Sequence, residues 1–335
     1  MKKMFFLFLS ALLPALPLLG CQSNPESNGP VPVTLSEVAH SVFYAPQYAA
    51  IELGYFEDEG IDLTLKNGVG ADKVMTTLIS GDADIGFMGS EASIYVYQEG
   101  SEDFAVNFAQ LTQRAGNFLV GRTEEPDFSW QSLKGKKVLG GRAGGMPQMV
   151  FEYILRKNGI DPSRDLTIDQ SIDFGLTAAA FTSSDADYTV EFEPYATTLE
   201  QEGNGKVVAS LGVDSGYVPY TAYCARKSYL EQNPEIIQAF TNAIQRGLQY
   251  VNTHSAEEIA ATIKPQFQET DTASIAAIVE RYKKQDTWKN DTIFAKESFE
   301  LLENILEEAG ELSARVPYED LVTTVFAEKA AASSQ

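Results

Sequence analysis

The sequence predicts an α/β protein of two lobes, each a mostly parallel sheet flanked by helices, joined by a hinge beside a cleft. Three observations lead to this fold class. Three short residue patterns occur twice in the same order, about one hundred residues apart. Strand and helix patterns alternate within both copies. After residue 221 the sequence becomes mostly helical, so a helical extension follows the repeat.

The internal repeat consists of three pairs of matching segments. They are Pro46-Gln47 and Pro147-Gln148, Gly60-Ile61-Asp62 and Gly159-Ile160-Asp161, and Asp82-Ala83-Asp84 and Asp185-Ala186-Asp187. The first pattern starts a helical stretch, the second ends that helix, and the third precedes a strand. Two copies with one order and nearly constant spacing indicate two lobes built on one plan.

Within each copy, the patterns are typical of a parallel sheet with right-handed crossovers. In the first copy, residues 31–36 and 61–65 read as strands, and residues 73–80 carry apolar side chains on one helical face. In the second copy, residues 136–139 read as a strand, and a helical stripe begins at Met149. The matching order predicts that equivalent loops of the two lobes face each other.

The C-terminal third is predicted to be helical. Asn233 and Pro234 supply a cap and a first-turn proline for one helix, and further helices are expected over 256–263, 271–284 and 294–310.

The chain is expected to cross twice between the lobes, through residues 120–125 and near a strand at 220–225. Lobe one is therefore assigned to 31–120 plus 222–335 and lobe two to 121–221. Two crossings form a hinge that allows the lobes to close as a clamp.

The N-terminus has the features of an export signal. Lys2 and Lys3 precede an apolar run that is short for a membrane span, and residues 18–21 (Leu-Leu-Gly-Cys) look like a lipobox. We predict that residues 1–21 form a lipoprotein signal peptide in which Cys21 becomes lipidated. Residues 22–30 lack large apolar side chains and are expected to form a flexible tether. The mature protein would then be anchored to the outer face of the cytoplasmic membrane.

Composition excludes several function classes. The formal net charge of −22 disfavours nucleic acid as a partner. Cys21 and Cys224 are the only cysteines and His40 and His254 the only histidines, so neither zinc spacing nor a Ser–His or Cys–His catalytic pair is indicated. No nucleotide-binding glycine motif occurs. We expect no metal, no cofactor and no catalytic residue.

A ligand site is expected beyond the carboxyl ends of the parallel strands, where loops 38–46, 88–93, 140–147 and 190–195 converge. The residues in these loops with suitable chemistry are His40, Phe43, Tyr44, Gly89, Ser90, Glu91, Arg142, Gly144, Gly145, Met146, Glu191 and Glu193. Each also has a structural interpretation. The aromatic residues fit a core, the glutamates fit the starts of helices, and His40 and Arg142 fit a loop hydrogen bond and a rim charge.

Four segments, 48–62, 78–89, 132–138 and 233–251, resemble the sulfonate/nitrate/taurine and thiamine-pyrimidine-precursor binding proteins of ABC importers. The resemblance covers most of the mature chain. It implies a type II periplasmic-binding fold, a monomer, and a solute captured between the lobes and delivered to a permease driven by an ATPase. It also implies ligand contacts from Gly89-Ser90-Glu91 and from residues 143–147.

The solute remains open between two classes. Phe43, Tyr44 and the facing glutamates favour a nitrogen-containing aromatic or amine-bearing solute. Arg142 and the helix N-termini would suit an oxyanion such as a sulfonate or nitrate.

Two other functions are alternatives. The same family contains enzymes that build the thiamine pyrimidine from a histidine and pyridoxal phosphate, which makes His40 a candidate. Those enzymes carry a cysteine-rich motif that this chain lacks. A solute sensor that presents its closed form to a receptor would use the same ligand-driven closure.

Overall fold

A computed structural model of the protein describes residues 29–173 and 175–333. Its ten strands form two five-stranded sheets within this part of the chain. The first sheet contains β1 (Val31–Glu37), β2 (Ile61–Asn67), β3 (Ile85–Met88), β4 (Ala105–Thr112) and β10 (Thr221–Arg226). The second contains β5 (Phe118–Gly121), β6 (Lys137–Leu139), β7 (Thr167–Asp169), β8 (Tyr188–Glu191) and β9 (Lys206–Ser210).

The two sheets have the same topology. Their strand orders are β2-β1-β3-β10-β4 and β7-β6-β8-β5-β9. In each sheet the fourth strand runs antiparallel to both neighbours, β10 in the first and β5 in the second, and the other strands share one direction. This confirms the predicted class of two α/β lobes with mostly parallel sheets, and the repeat that predicted it.

Helices cover both sheets. In chain order they are α1 (Ala45–Glu52), α2 (Tyr55–Asp58), α3 (Ala71–Ser80), α4 (Glu91–Gln98), α5 (Met146–Lys157), α6 (Thr177–Ser183), α7 (Tyr195–Gln201), α8 (Leu211–Ser215), α9 (Lys227–Gln232), α10 (Pro234–Thr253), α11 (Ala256–Ile263), α12 (Thr272–Lys284), α13 (Lys296–Ala309), α14 (Tyr318–Leu321) and α15 (Val325–Ser333). Short 3-10 turns occur at Val42–Tyr44, Trp130–Leu133 and Lys264–Gln266. The helices predicted over 256–263, 271–284 and 294–310 are confirmed to within two residues.

Helix α10 packs against α1 and, through Phe240, against Phe108 and Tyr223 of the first sheet. Its apolar residues recur at helical spacing and are buried, including Ile237, Phe240 and Ile244. Burial of a side chain such as Phe240 contributes about 2–3 kcal/mol to folding. Gly247 lets α1 approach closely, since a β-carbon there would lie 2.2 Å from the carbonyl oxygen of Pro46. This contact holds the start of α1 against α10.

The chain crosses between the sheets at residues 113–117 and 216–220. The first crossing comes earlier than the predicted boundary after residue 120. The reason is that β5 pairs with β8 and β9 and therefore belongs to the second sheet. The strand predicted at 220–225 is confirmed as β10, one residue later, in the first sheet.

The predicted signal peptide with Cys21, and most of the tether, lie outside the described residues. Among the described helices, none combines the length and the apolar character needed to cross a bilayer.

Candidate ligand-binding cleft

A cleft lies between the lobes at the carboxyl ends of the parallel strands. It holds about 870 Å³ of space not filled by protein atoms, its mouth included. The residues predicted from sequence that line it are Tyr44, Gly89, Glu91, Arg142, Gly145, Met146 and Glu191. These residues come from both lobes, and their contacts with a ligand stay predictions.

Glu91, the first residue of α4, brings a buried carboxyl group to the cleft. It is 2% exposed, and its Oε2 atom has no hydrogen-bond partner among the described residues. Burial raises the pKa of Glu91 to about 7, partly offset by the N–H groups of Glu91 and Met146 and by Arg142. The carboxyl folds over Gly89, where a β-carbon would lie 2.1 Å from Oε2. Glu91 thus presents an unpartnered acceptor to any solute in the cleft.

Glu191, the last residue of β8, brings a second carboxyl group from the other lobe. It is 1% exposed, and burial raises its pKa to about 7. Thr189 donates a hydrogen bond to Oε1 at 2.6 Å, and Thr177 donates one to Oε2 at 2.9 Å. The two hydroxyls hold this carboxyl in place and still leave lone pairs for a further donor.

Aromatic rings form much of the remaining wall. Tyr44 comes from the first lobe and Tyr220 from the second crossing, while Phe192 lies in the loop after β8 and Tyr195 is the first residue of α7. Tyr44 packs edge-on against Phe87, with ring centroids 4.5 Å apart, so its orientation is fixed by the core. Flat, rigid rings around buried carboxyls suit a planar solute that carries hydrogen-bond donors.

Asn117 lies in the first crossing and also lines the cleft. It is 1% exposed. Tyr220 donates its hydroxyl hydrogen bond to Oδ1 of Asn117, and Nδ2 has no partner among the described residues. The first crossing therefore places at the cleft a buried amide whose nitrogen has no partner among the described residues.

The two lobes contact each other across the mouth of the cleft. Nη2 of Arg142 lies 3.0 Å from Oδ1 of Asp72 on α3. The hydroxyl of Tyr95 donates to the carbonyl oxygen of Gly144 at 3.3 Å. Arg142 is already paired and its side chain is 45% exposed, so it acts as a rim charge here.

Five predicted residues do not line the cleft. Phe43 belongs to an aromatic core, where its ring packs against Tyr44, Phe192, Tyr220 and Tyr282. Ser90 donates to the carbonyl oxygen of Pro219 at 2.9 Å. Gly144 lies at the mouth, where its positive φ of 76° shapes the loop before α5.

His40 points away from the cleft. Its Nδ1 lies 2.8 Å from Oε1 of Glu37, and its Nε2 lies 2.8 Å from the carbonyl oxygen of Gln266. The hydrogen bond with Glu37 raises the pKa of His40. Both ring nitrogens of His40 therefore form contacts within the first lobe. This agrees with the interpretation of His40 as a hydrogen-bonding loop residue.

Glu193 is the largest correction. The sequence placed it opposite Glu91, but its side chain is fully buried beside Arg281 of α12, with Oε1 at 2.5 Å from Nη1. Its Oε2 accepts from the backbone N–H of Thr197 at 2.9 Å. The ion pair joins the lobes away from the cleft. Because Arg281 is far from Glu193 in the sequence, this ion pair could not be predicted from the sequence.

Sequence reasoning missed several lining residues. Phe192 and Tyr195 stood inside a predicted loop and were passed over, whereas Thr177 and Tyr220 lay outside all four loops. Asn117 was missed because the first crossing was predicted at residues 120–125, whereas it lies at residues 113–117.

Comparison with known proteins gives a family and a fold. The family model described as NMT1/THI5 like matches residues 42–258. The chain is 46% identical over 297 residues to the Bacillus subtilis protein named "Putative binding protein YtlA", with 89% of each chain covered. It is 26% identical over 232 residues to the 4-amino-5-hydroxymethyl-2-methylpyrimidine phosphate synthase THI11 of Saccharomyces cerevisiae, covering 62% of this chain and 63% of that one.

Two solved structures are similar over most of the chain. The nitrate-binding protein NrtA of Synechocystis has a TM-score of 0.74 at 16% identity, covering 91% of this chain and 89% of that one. The alkanesulfonate-binding protein SsuA of Xanthomonas axonopodis has a TM-score of 0.71 at 14% identity, covering 89% and 99%. These likenesses confirm the predicted periplasmic-binding fold.

Proposed function

This chain belongs to the NMT1/THI5-like family, and from that premise we propose that it captures a small solute for an ABC importer. The solute is a nitrogen-containing aromatic or amine-bearing molecule held between the lobes. Contacts from both lobes favour the closed form, and the closed form is what a permease and its ATPase receive. The step needs no bond chemistry.

The observation that carries the solute class is the pair of buried carboxyls, one from each lobe. Glu91 and Glu191 line one cleft whose other walls are largely aromatic and apolar. A donor on the solute satisfies the open lone pairs of these groups, and a positive charge compensates their burial. Neither group has a cation as hydrogen-bond partner in the described part of the chain.

The same geometry disfavours an oxyanion. Arg142 is bound to Asp72 at the exposed rim. The N-terminus of α5, the other candidate anion site, faces Glu91, and the N–H of Met146 stabilises that carboxylate. A sulfonate or nitrate there would meet like charge in a buried site, which is strongly unfavourable.

A binding role also fits better than catalysis. The thiamine-pyrimidine synthases among the relatives are more distant than the binding protein of Bacillus subtilis. His40, the residue that suggested an enzyme, has both ring nitrogens engaged outside the cleft.

We further propose that the mature protein is a monomer, exported and held at the membrane by lipid on Cys21. The N-terminal pattern of lysines, apolar run and Gly20-Cys21 supports this. Cys21→Ala should release the protein from membranes and leave its solute affinity unchanged. A variant that stays in the membrane fraction contradicts the anchor.

The solute class is tested by identifying what copurifies with the untagged mature protein. The protein is denatured and the released small molecules are identified by mass spectrometry, with Glu91→Gln purified in parallel. We expect an amine-bearing or heteroaromatic nitrogen compound that is depleted from the variant. Recovery of a sulfonate or nitrate from both proteins contradicts the proposed class.

A further inference from the structure

We propose that the ring of His40 carries a positive charge, and that this charge positions the loop over residues 38–46, which forms part of the cleft wall. The inference rests on the proposed function, because it concerns how the solute site of that function is held in shape. It does not depend on the class of solute. His40 is a positioning residue in this role, since it points away from the cleft and acts through the loop.

The first step is the nature of the two atoms that the ring faces. Nδ1 of His40 lies 2.8 Å from Oε1 of Glu37, and Nε2 lies 2.8 Å from the backbone carbonyl oxygen of Gln266. A carboxylate and a carbonyl only accept hydrogen bonds. A neutral imidazole has one N–H group and leaves one of these contacts without a hydrogen, whereas an imidazolium donates to both.

The second step is the charge of Glu37, which is fully buried. Its Oε2 accepts from the side chain of Gln47 at 2.7 Å and from the hydroxyl of Tyr48 at 2.9 Å, and such donors favour the ionised carboxylate. Among the described residues, His40 is the one cation in an ion pair with Glu37. Because a buried carboxylate without a counter-charge is unfavourable, each group stabilises the charge of the other.

The other polar groups around the ring leave this assignment unchanged. From α1, the Tyr48 hydroxyl lies 3.1 Å from Nδ1, but its hydrogen is donated to the carboxylate, and burial holds its pKa well above the usual range. From the 3-10 turn, Lys264 donates to backbone carbonyl oxygens just after that turn. Glu52 accepts from the side chain of Gln266 at 2.5 Å. The charge of the ring therefore depends mainly on the buried carboxylate.

The third step is the position of His40 in a loop that contacts both lobes. Tyr44 of this loop lines the cleft. Ser41 donates to the backbone carbonyl oxygen of Glu193 in lobe two at 2.6 Å. Directly before Ser41, His40 joins the loop to the 3-10 turn through Nε2 and to β1 through Nδ1. Loss of the ring proton removes one of these two hydrogen bonds and loosens the loop beside the cleft.

The charge is tested by NMR on the ligand-free mature protein labelled with nitrogen-15. His40 and His254 are the only histidines, so His254→Gln assigns the ring signals of His40. At about pH 7.5, above the ordinary histidine pKa of about 6.5, we expect both ring nitrogens of His40 to carry hydrogen. Glu37→Gln keeps an acceptor but removes the charge, and it should return His40 to the neutral form at this pH. A single neutral tautomer in wild-type protein contradicts the charge.

The positioning role is tested by hydrogen exchange of the peptide over residues 38–48, measured by mass spectrometry in wild-type protein and in His40→Gln. At about pH 6 the variant should exchange about tenfold faster, because it lacks a charge-assisted hydrogen bond. The ratio of the two rates should fall toward one as pH rises through the pKa that NMR gives for His40, since wild-type protein then loses the same contact. His254→Gln is the matched control and should exchange like wild-type protein in this peptide.

Both measurements are made without solute, so their failure is distinct from a failure of the proposed function. If His40 is neutral in wild-type protein, or if the ratio of exchange rates does not change with pH, the inference is overturned and solute capture stands. If no solute is recovered by copurification, the proposed function fails, whereas the ring signals and the exchange rates still decide whether the charge of His40 holds the loop.

Discussion

Glu91 and Glu193 follow the corresponding strands of the two lobes, but their carboxyl groups differ in how many hydrogen-bond partners they have. Both are buried, and burial raises the pKa of each. Glu193 has Arg281 on one oxygen and the N–H of Thr197 on the other. Glu91 lines the cleft, and its Oε2 has no hydrogen-bond partner among the described residues. A buried carboxyl with all its partners supports the fold, whereas one left open is available for a ligand.

The largest effect is expected at Arg281. Arg281→Met leaves the charge of Glu193 buried without its cation, and the free energy of unfolding should fall by roughly 3 kcal/mol. Lys284→Met, on the same helix, is the control, because its pair with Glu280 is exposed on both sides and such pairs contribute less than about 1 kcal/mol. Urea denaturation measures both. Equal, small losses would mean that the pair at Glu193 is no more structural than a surface pair.

The open carboxyls predict how stability depends on pH. Burial raises the pKa of Glu91 and of Glu191 to about 7 in the folded protein, against the ordinary glutamate value of 4.5. The folded state therefore binds more protons between these values, and stability falls as pH rises from about 5 to 7. Glu91→Gln combined with Glu191→Gln should remove this fall, so the double variant should lose less of its free energy of unfolding between pH 5 and pH 8 than wild-type protein.

This dependence is checked by urea denaturation of the ligand-free protein at several pH values. Glu311→Gln, at an exposed position, serves as the control and should keep the wild-type slope. If the free energy of unfolding of the double variant falls as steeply with pH as that of wild-type protein, these carboxyls are not the groups that titrate.

Gly89→Ala addresses the position of the Glu91 carboxyl without changing its charge. A β-carbon at this site would overlap Oε2, so the carboxyl must move. Solute affinity should fall by about tenfold, or 1.4 kcal/mol. Gly29→Ala, where a β-carbon meets nothing within 4 Å, is the control. Calorimetry with the copurifying solute measures both, and an unchanged affinity in Gly89→Ala would indicate that the solute does not contact Oε2.

The smallest effect is expected at Arg142. Its pair with Asp72 is exposed on both sides, so Arg142→Gln should change solute affinity by no more than about threefold, and less in high salt. Asp72→Asn should behave alike. Abolished binding in Arg142→Gln alone would mean that this cation holds an anionic solute.

Features that depend on local sequence patterns and on the internal repeat could be predicted from the sequence. Periodicity located the C-terminal helices, and the repeated patterns predicted two sheets with one topology. The rule for parallel sheets then identified loops that supply Glu91 and Glu191. The features that could not be predicted depend on contacts between residues that are far apart in the sequence. The partner of Glu193 is Arg281, and β5 joins the second sheet through β8 and β9.

If the two buried carboxyls select the solute, the cleft binds a nitrogen base and rejects an oxyanion. The most direct test of this selection is to titrate the ligand-free protein with 4-aminopyrimidine and with ethanesulfonate by calorimetry under identical conditions. We predict measurable binding of the aminopyrimidine and none of the sulfonate. Binding of the sulfonate with no response to the aminopyrimidine would contradict the account.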